Sequence, residues 1–266
     1  MDDRLPISVL LLARDERELL AELLPTLAFA REIVVVMDPR GEPAVAELAR
    51  GHGARVFEHR FEGFGPQRQF ALAQCTQPWV LWLDADERLA PNAAPALSRA
   101  LALGTARIGV RLKRSTWFLG RRIRWSGWRG ETVLRLFTRA GASFDEAPVH
   151  ERLRIEGGTI VTALAPLEIE HRSYRSWEEC VAKLNAYATA NAEKSWREGR
   201  RAGALDVLGR PPLRFLRQYV LQLGVLDGAH GLVLCGLAAA QVFMKYAELW
   251  DRTRRAKAVA GARVDP

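Results

Sequence analysis

The chain has 266 residues, 48% apolar and 26% charged, which excludes a disordered chain and allows one large core or a core plus a helical appendage. Cys75, Cys180 and Cys235 lie far apart with no C-x-x-C pair, which argues against a zinc knuckle or a redox dithiol and reads as reduced, packed thiols of a cytosolic protein. The net charge of +8 is uneven: residues 1–90 hold ten Lys/Arg against 15 Asp/Glu, and residues 91–266 hold 29 against 16, so the basic part should meet an anionic partner.

At the start, Met1-Asp2-Asp3-Arg4 lacks the cationic segment and following apolar run of a signal peptide. Ile7 to Leu12 then forms a short apolar run, the pattern of a buried strand. Residues 16–30 carry leucines at helical spacing. Glu32 to Asp38 reads as a second buried strand, residues 42–51 as a helix, and Ala54 to Phe57 as a third strand. Residues 66–75 read as a helix, and Trp79 to Leu83 as a fourth strand ending at Asp84. Strands rich in Val, Ile and Leu that alternate with helices predict a parallel sheet covered on both faces. Ligands bind such sheets beyond the carboxyl ends of the strands, where Asp15, Asp38 and Asp84 fall.

Residues 91–103 read as a helix with Pro91 near its start. From 105 to 173 the alternation is more open, with Gly and Trp between Ile108–Leu112 and Val133–Phe137, as expected of short antiparallel strands. Ser176 is placed to cap a helix whose stripe is Trp177, Val181, Leu184, Ala188 and Asn191. Pro211-Pro212 is expected to open a further helix, Gly224 to Gly231 to break the chain, and residues 232–250 to be apolar on most sides.

Asp84-Ala85-Asp86 directly follows an apolar strand. Two carboxylates one residue apart can serve a hard divalent cation and leave positions for phosphate oxygens. The alternative is a solvated turn that caps the next helix.

The order of motifs adds a resemblance. I-S-V-L-L-L-A-R-D-E (from Ile7), V-V-V-M-D (from Val34), G-F-G-P-Q-R-Q-F-A-L (from Gly63) and W-V-L-W-L-D-A-D-E (from Trp79) resemble family-2 glycosyltransferases of the GT-A fold. R-L-F-T-R (from Arg135), P-V-H-E (from Pro148), H-R-S-Y-R-S (from His171), K-L-N-A-Y (from Lys183) and K-Y-A-E-L-W (from Lys245) resemble the lipopolysaccharide-core β-1,4-glucosyltransferase subgroup. The resemblance implies an α/β GT-A domain, Rossmann-like, with a mostly parallel sheet and helices on both faces. That domain would span residues 1–175, with a nucleotide-sugar half at 1–104 and an acceptor half at 105–175. Residues 176–266 would form a helical, membrane-facing extension.

By matching positions, the resemblance places Arg14, Asp15 and Glu16 near the nucleotide and Asp38 at the base or ribose. It sets Gln67 and Arg68 along the nucleotide site, with Arg68 near the diphosphate. Asp84 would meet the ribose or metal, and Asp86 would bind Mg²⁺ or Mn²⁺. Two departures bear on base recognition: Ala13-Arg14-Asp15-Glu16 replaces a Thr-x-Asn-Glu pattern, and Pro39-Arg40-Gly41 replaces a Ser/Thr-rich turn.

An inverting transfer needs a base for the acceptor hydroxyl. Glu151, in the V-H-E position, is the candidate, with His150 able to do the same chemistry and Glu131 a weaker choice. His171 would complete the metal site. Residues 99–139 hold eleven Lys/Arg and one acid with Trp117, Phe118, Trp125 and Trp128 interleaved, which suits either single-stranded nucleic acid or a phosphorylated glycolipid at a membrane. The upstream motifs favour the glycolipid.

Residues 231–244 are too short an apolar run to span a bilayer, but arginines on both sides suit a helix on the cytoplasmic leaflet of the inner membrane. A buried helix or a homo-oligomer contact is the alternative. The expected activity is inverting transfer of a hexose, glucose from UDP-glucose, to an inner-core heptose of a lipopolysaccharide precursor. A polyprenyl-phosphate or capsule-glycan acceptor is the nearest rival. A non-catalytic membrane- or RNA-binding module is the rival of another class.

Overall fold

The computed structural model describes residues 3–91, 93–104, 106–146, 152–162 and 167–261. The first part alternates strand and helix: β1 (Leu5–Ala13), α1 (Arg17–Leu23), β2 (Ala30–Met37), α2 (Pro43–Gly51), β3 (Arg55–Glu58), α3 (Phe64–Gln74) and β4 (Trp79–Leu83). Pro25 tightens the end of α1 into a 3-10 turn at Leu24–Leu27, so the helix is shorter than the leucine spacing suggests. A short strand, β5 (Glu87–Leu89), and α4 (Ala93–Leu101) follow. Then come β6 (Ile108–Phe118), β7 (Arg121–Arg122), β8 (Thr132–Thr138), β9 (Ala142–Phe144), β10 (Leu153–Ile155), β11 (Thr159–Thr162) and β12 (Glu168–Tyr174). The chain ends in α5 (Trp177–Arg197), α6 (Ala204–Leu216) and α7 (Gly228–Gly261).

The main sheet runs β3-β2-β1-β4-β8-β6-β12-β5. Its first four strands are parallel, whereas β8 is antiparallel to β4 and β6, and β12 to β5. The GT-A expectation therefore holds, in a mixed sheet whose parallel pairs are those among β1 to β4 and that of β11 with β6.

The apolar runs are continuous because both faces of these strands are covered. On β1, Ile7, Val9 and Leu11 enter one core with Leu20, Leu23 and Val45, while Leu10 enters the other with Ala71 and Leu72. β4 does the same, with Leu81 and Leu83 on one side and Val80 and Trp82 on the other.

Contacts divide the chain into a sheet unit, residues 1–115 and 130–172, and a helical unit, residues 116–129 and 173–266. The segment 116–129 joins the helices because the Asp227 carboxylate accepts hydrogen bonds from Arg124 N, Trp125 N and Ser126 Oγ at 3.0, 3.0 and 2.9 Å. That tie spans about a hundred residues of sequence.

Ser176 caps α5 as expected, its Oγ accepting from Glu179 N at 3.1 Å. The buried stripe of α5 is rotated from the expected one: Cys180, Ala188, Ala192 and Ser195 face inward, and Trp177 and Val181 are exposed. Small residues allow the helix to pack closely, so large apolar ones were a poor guide here. Pro211 and Pro212 sit inside α6 rather than at its start. The carbonyls they leave without donors lie on a helix with no buried residue, where water can satisfy them. The expected break at 224–231 is a 3-10 turn, Gly224–Asp227, after which α7 begins at Gly228.

Candidate active site

Sheet register places the predicted acids on one edge. Ala13 pairs with Met37, Leu11 with Leu83 and Met37 with Glu58, so β1 to β4 all end on the same side. The strand order reverses between β1 and β4, the topological point beyond whose carboxyl ends ligands bind in such sheets. Arg14-Asp15-Glu16 and Asp84-Ala85-Asp86 line that edge, with Asp38 one strand away.

The two inner loops touch through backbone. Gly41 packs so closely on the β1 loop that a Cβ there would lie 2.5 Å from the Arg14 carbonyl oxygen. Glu42 N also donates to Arg14 O at 3.2 Å and to Asp15 Oδ1 at 3.3 Å. Gly41 in the Pro39-Arg40-Gly41 departure thus has a steric reason. Glu16 turns back, and its carboxylate accepts from Arg14 N and Asp15 N at 2.7 and 3.1 Å.

Asp38 is buried and bonded by Arg40, whose Nε and backbone N lie 2.9 and 3.0 Å from Oδ1 and whose Nη2 bonds Oδ2. Those bonds hold its carboxyl well below the usual range. Gln67 is buried and bridges His59, through Nδ1 at 2.8 Å and the backbone oxygen at 3.0 Å.

Behind the acidic motif lies a buried charge cluster. Asp84 Oδ1 accepts from Arg68 Nη2 at 2.8 Å, and Oδ2 from Arg135 Nη2 at 2.6 Å. The same Arg135 nitrogen reaches Glu87 Oε1 at 2.7 Å, and Glu87 Oε2 accepts from Asp84 N at 3.2 Å. Both guanidinium groups lie over the Trp82 ring, 4.0 and 4.1 Å from its centroid. The β4–β8 register explains the stack: Leu81 faces Leu136 and Val80 faces Phe137, so Trp82 meets Arg135.

Burial alone would raise Asp84, but Arg135 and Arg68 outweigh it and hold its carboxyl below the ordinary value. Glu87 is raised, chiefly by burial and despite Arg135. Burial pulls Arg68 down to about 10.

The next acid is placed differently. Arg172 N donates to Asp86 O at 2.9 Å, and β5 pairs with β12 so that His171 faces Glu87. This register brings His171 Nε2 to 3.4 Å from Asp86 Oδ2, with both side chains about one-fifth exposed. Arg88 holds the turn from behind, donating to Ala85 O, Glu87 O and Leu19 O at 2.7, 2.8 and 2.6 Å.

The structure therefore brings together Asp84, Arg68, Asp86 and His171. Arg14, Asp15, Glu16 and Asp38 lie along the same strand edge. Glu151 and His150 lie outside the described residues. Glu131 pairs with Arg114 at 2.5 Å. Sequence reading gave no role to Arg135, Glu87, Trp82 or Arg88. An arginine alternating with apolar residues in Val133 to Phe137, beside a strand ending in Trp, was the available signal.

Among the described residues no three His, Cys, Asp or Glu side chains gather as a metal-holding group. The donor set still fits a hard cation whose remaining positions go to water and phosphate. Two ligand atoms about 2.1 Å from one octahedral ion lie about 3 Å apart, close to the spacing of His171 and Asp86.

Comparison with known proteins bears on the family and the fold. Residues 8–148 match the family model described as Glycosyl transferase family 2. The chain is 28% identical to the lipopolysaccharide core biosynthesis glycosyltransferase LpsC of Rhizobium meliloti, over 93% of this chain and 95% of that one. It is 21% identical to the uncharacterized glycosyltransferase RT0209 of Rickettsia typhi, over 95% and 89%. Among solved structures, the mannosyltransferase PcManGT of Pyrobaculum calidifontis, in complex with GDP-Man and Mn²⁺, superposes with a TM-score of 0.50 at 15% identity. That match covers 93% of this chain and 88% of the other, and it speaks to the fold alone.

Proposed function

The chain belongs to glycosyl transferase family 2, and on that premise we propose that it is a metal-dependent, inverting hexosyltransferase of lipopolysaccharide core assembly. The donor in this reading is a nucleotide sugar, UDP-glucose, and the acceptor is an inner-core heptose of a phosphorylated glycolipid. The similarity to LpsC over nearly the whole of both chains supports the acceptor class. The site of action is the cytoplasmic face of the inner membrane.

The observation that carries the reading is the 3.4 Å approach of His171, on β12, to Asp86, in the turn that follows β4. Asp86 and His171 would hold Mg²⁺ or Mn²⁺. Such a cation, when bound, neutralises charge that gathers on a departing diphosphate.

The chain's own residues do the rest. Arg68, stacked on Trp82 and tied to Asp84, adds positive charge on the diphosphate side. Asp84 positions Arg68 and Arg135 and faces the ribose. Asp38, with Arg40, reads the base or ribose, and Arg14, Asp15, Glu16 and Gln67 shape the nucleotide wall. Glu151 takes the proton from the acceptor hydroxyl as it attacks the anomeric carbon, so the configuration inverts.

The test is sugar transfer from UDP-[¹⁴C]glucose to core-truncated lipopolysaccharide. Asp86→Ala and His171→Ala should abolish or sharply reduce Mn²⁺-dependent transfer. Glu151→Gln should lower kcat by about 10²–10⁴-fold with donor binding kept. Full activity in Asp86→Ala would refute the metal role, and full activity in Glu151→Gln the base role.

A further inference from the structure

The helix α6 is amphipathic, but it faces the wrong way for a water-soluble surface. At 3.6 residues per turn, Leu205, Leu208 and Leu216 share one side, and Asp206, Arg210 and Arg214 the other. The half-buried residues of α6 are Asp206, Val207, Pro211 and Phe215, while Arg210 Nε bonds Asp206 at 2.6 Å and its guanidinium lies over Tyr246 of α7 at 4.7 Å. The leucines face outward, with Leu205 87% and Leu208 70% exposed, and no residue of α6 is buried. A helix with an apolar stripe normally turns that stripe to the core.

The apolar surface continues past α6. Leu221 in the π-turn Arg217–Leu221 is 77% exposed, and Leu226 and Leu232 are exposed as well. Leu223, between them, has a left-handed backbone at φ 59°, a conformation that leucine rarely adopts. The patch therefore includes a strained turn as well as a helix face. Large apolar side chains exposed in such number along one stretch of chain point to an interaction site.

Charge selects the partner. The helical unit carries 19 Lys/Arg against nine Asp/Glu, a balance of +10, while the sheet unit holds 20 against 22. A second copy would bring the same positive unit against it, whereas an anionic bilayer attracts it. α7 and its preceding turn are long and apolar enough to cross a membrane by composition. The exposed leucines, however, sit mainly on the 13-residue α6 and its turn, too short to span about 30 Å of hydrocarbon.

We propose that α6 and the turn after it insert side-on into the surface of an anionic phospholipid bilayer, with the leucine face in the acyl boundary. This sharpens the membrane-bound-acceptor reading by naming the docking surface, and that surface moves from residues 231–244 to residues 205–232. It stands independently of the transfer chemistry.

The experiment is vesicle co-sedimentation of the full chain. Vesicles of phosphatidylglycerol and phosphatidylethanolamine are compared with phosphatidylcholine alone, for wild type and for the double variant Leu208→Glu, Leu216→Glu. The expected result is binding to the anionic vesicles, weakened by salt and lowered at least tenfold in the variant. Because the variant could in principle lose its fold, Leu221→Cys carrying an environment-sensitive fluorophore gives a second readout, expected to shift to the blue on anionic vesicles. Three results overturn the proposal: no binding by wild type, equal binding by the variant with an unshifted fluorophore, or a dimer in solution that the leucine substitutions dissociate. Soluble-donor hydrolysis measured in parallel reports separately on the transfer site.

Discussion

Arg135 is the residue on which the acidic motif depends most. It sits between Asp84 and Glu87, and both acids lose their main counter-charge without it. Arg135→Met should cost about 3–5 kcal/mol of stability in urea denaturation, because it leaves buried carboxylates uncompensated.

The same cluster sets an acid limb with two opposed components. Asp84 has a folded pKa below its unfolded value of about 3.9, so its stabilisation is present above that pH and is lost as pH falls toward 2. Glu87 is raised, so its protonation favours the folded state as pH falls. Stability-against-pH curves should therefore flatten on the acid side in Asp84→Asn and steepen in Glu87→Gln. Gly41→Ala makes a different point. Its Cβ would meet the Arg14 carbonyl oxygen, and the shift required should cost about 1–3 kcal/mol in urea denaturation and weaken nucleotide binding measured by calorimetric titration.

At the scale of elements, the β5–β12 pairing does for the site what the motif alone cannot. It fixes His171 beside Asp86 from a strand about 80 residues later in the chain. Ile169 is fully buried opposite Leu89 in that pairing. Ile169→Ala should destabilise by about 2–5 kcal/mol and also lower Mn²⁺ affinity. Leu20→Ala, a core truncation under α1, should destabilise similarly and leave Mn²⁺ affinity unchanged. Equal affinity in both variants would separate β12 from the metal site.

The alternating βα half was legible because continuous Val, Ile and Leu runs report a sheet buried on both faces, and β4 falls where Trp79 to Leu83 predicts. Asp15, Asp38 and Asp84 follow from it, since strand ends are local features. Arg135 and Glu87 were not legible because a buried charge pair depends on cross-strand register. The inward stripe of α5 was missed because alanine and serine carry little apolar signal. Pro211-Pro212 signalled a helix but not its start at Ala204.

For the whole molecule, the two contact units differ in charge, a balance of −2 in the sheet unit against +10 in the helical unit. The sheet unit is near neutral and holds the acidic strand edge. The helical unit gathers the positive charge, and segment 116–129 belongs with it through Asp227. The proposed donor chemistry and the proposed surface attachment thus rest on separate observations and are tested separately.

The central claim is that the strand edge beyond β1 and β4 binds a nucleotide sugar through a cation held by Asp86 and His171. The most direct measurement is thermal unfolding with UDP-glucose, with and without Mn²⁺, in wild type and Asp86→Ala. At ligand about 100-fold above Kd, binding adds about 2.7 kcal/mol, a rise in Tm of about 5 °C or more. The account predicts that rise for wild type with UDP-glucose and Mn²⁺ together, its loss in EDTA, and none in Asp86→Ala. An equal rise in EDTA, or an undiminished rise in Asp86→Ala, would contradict it.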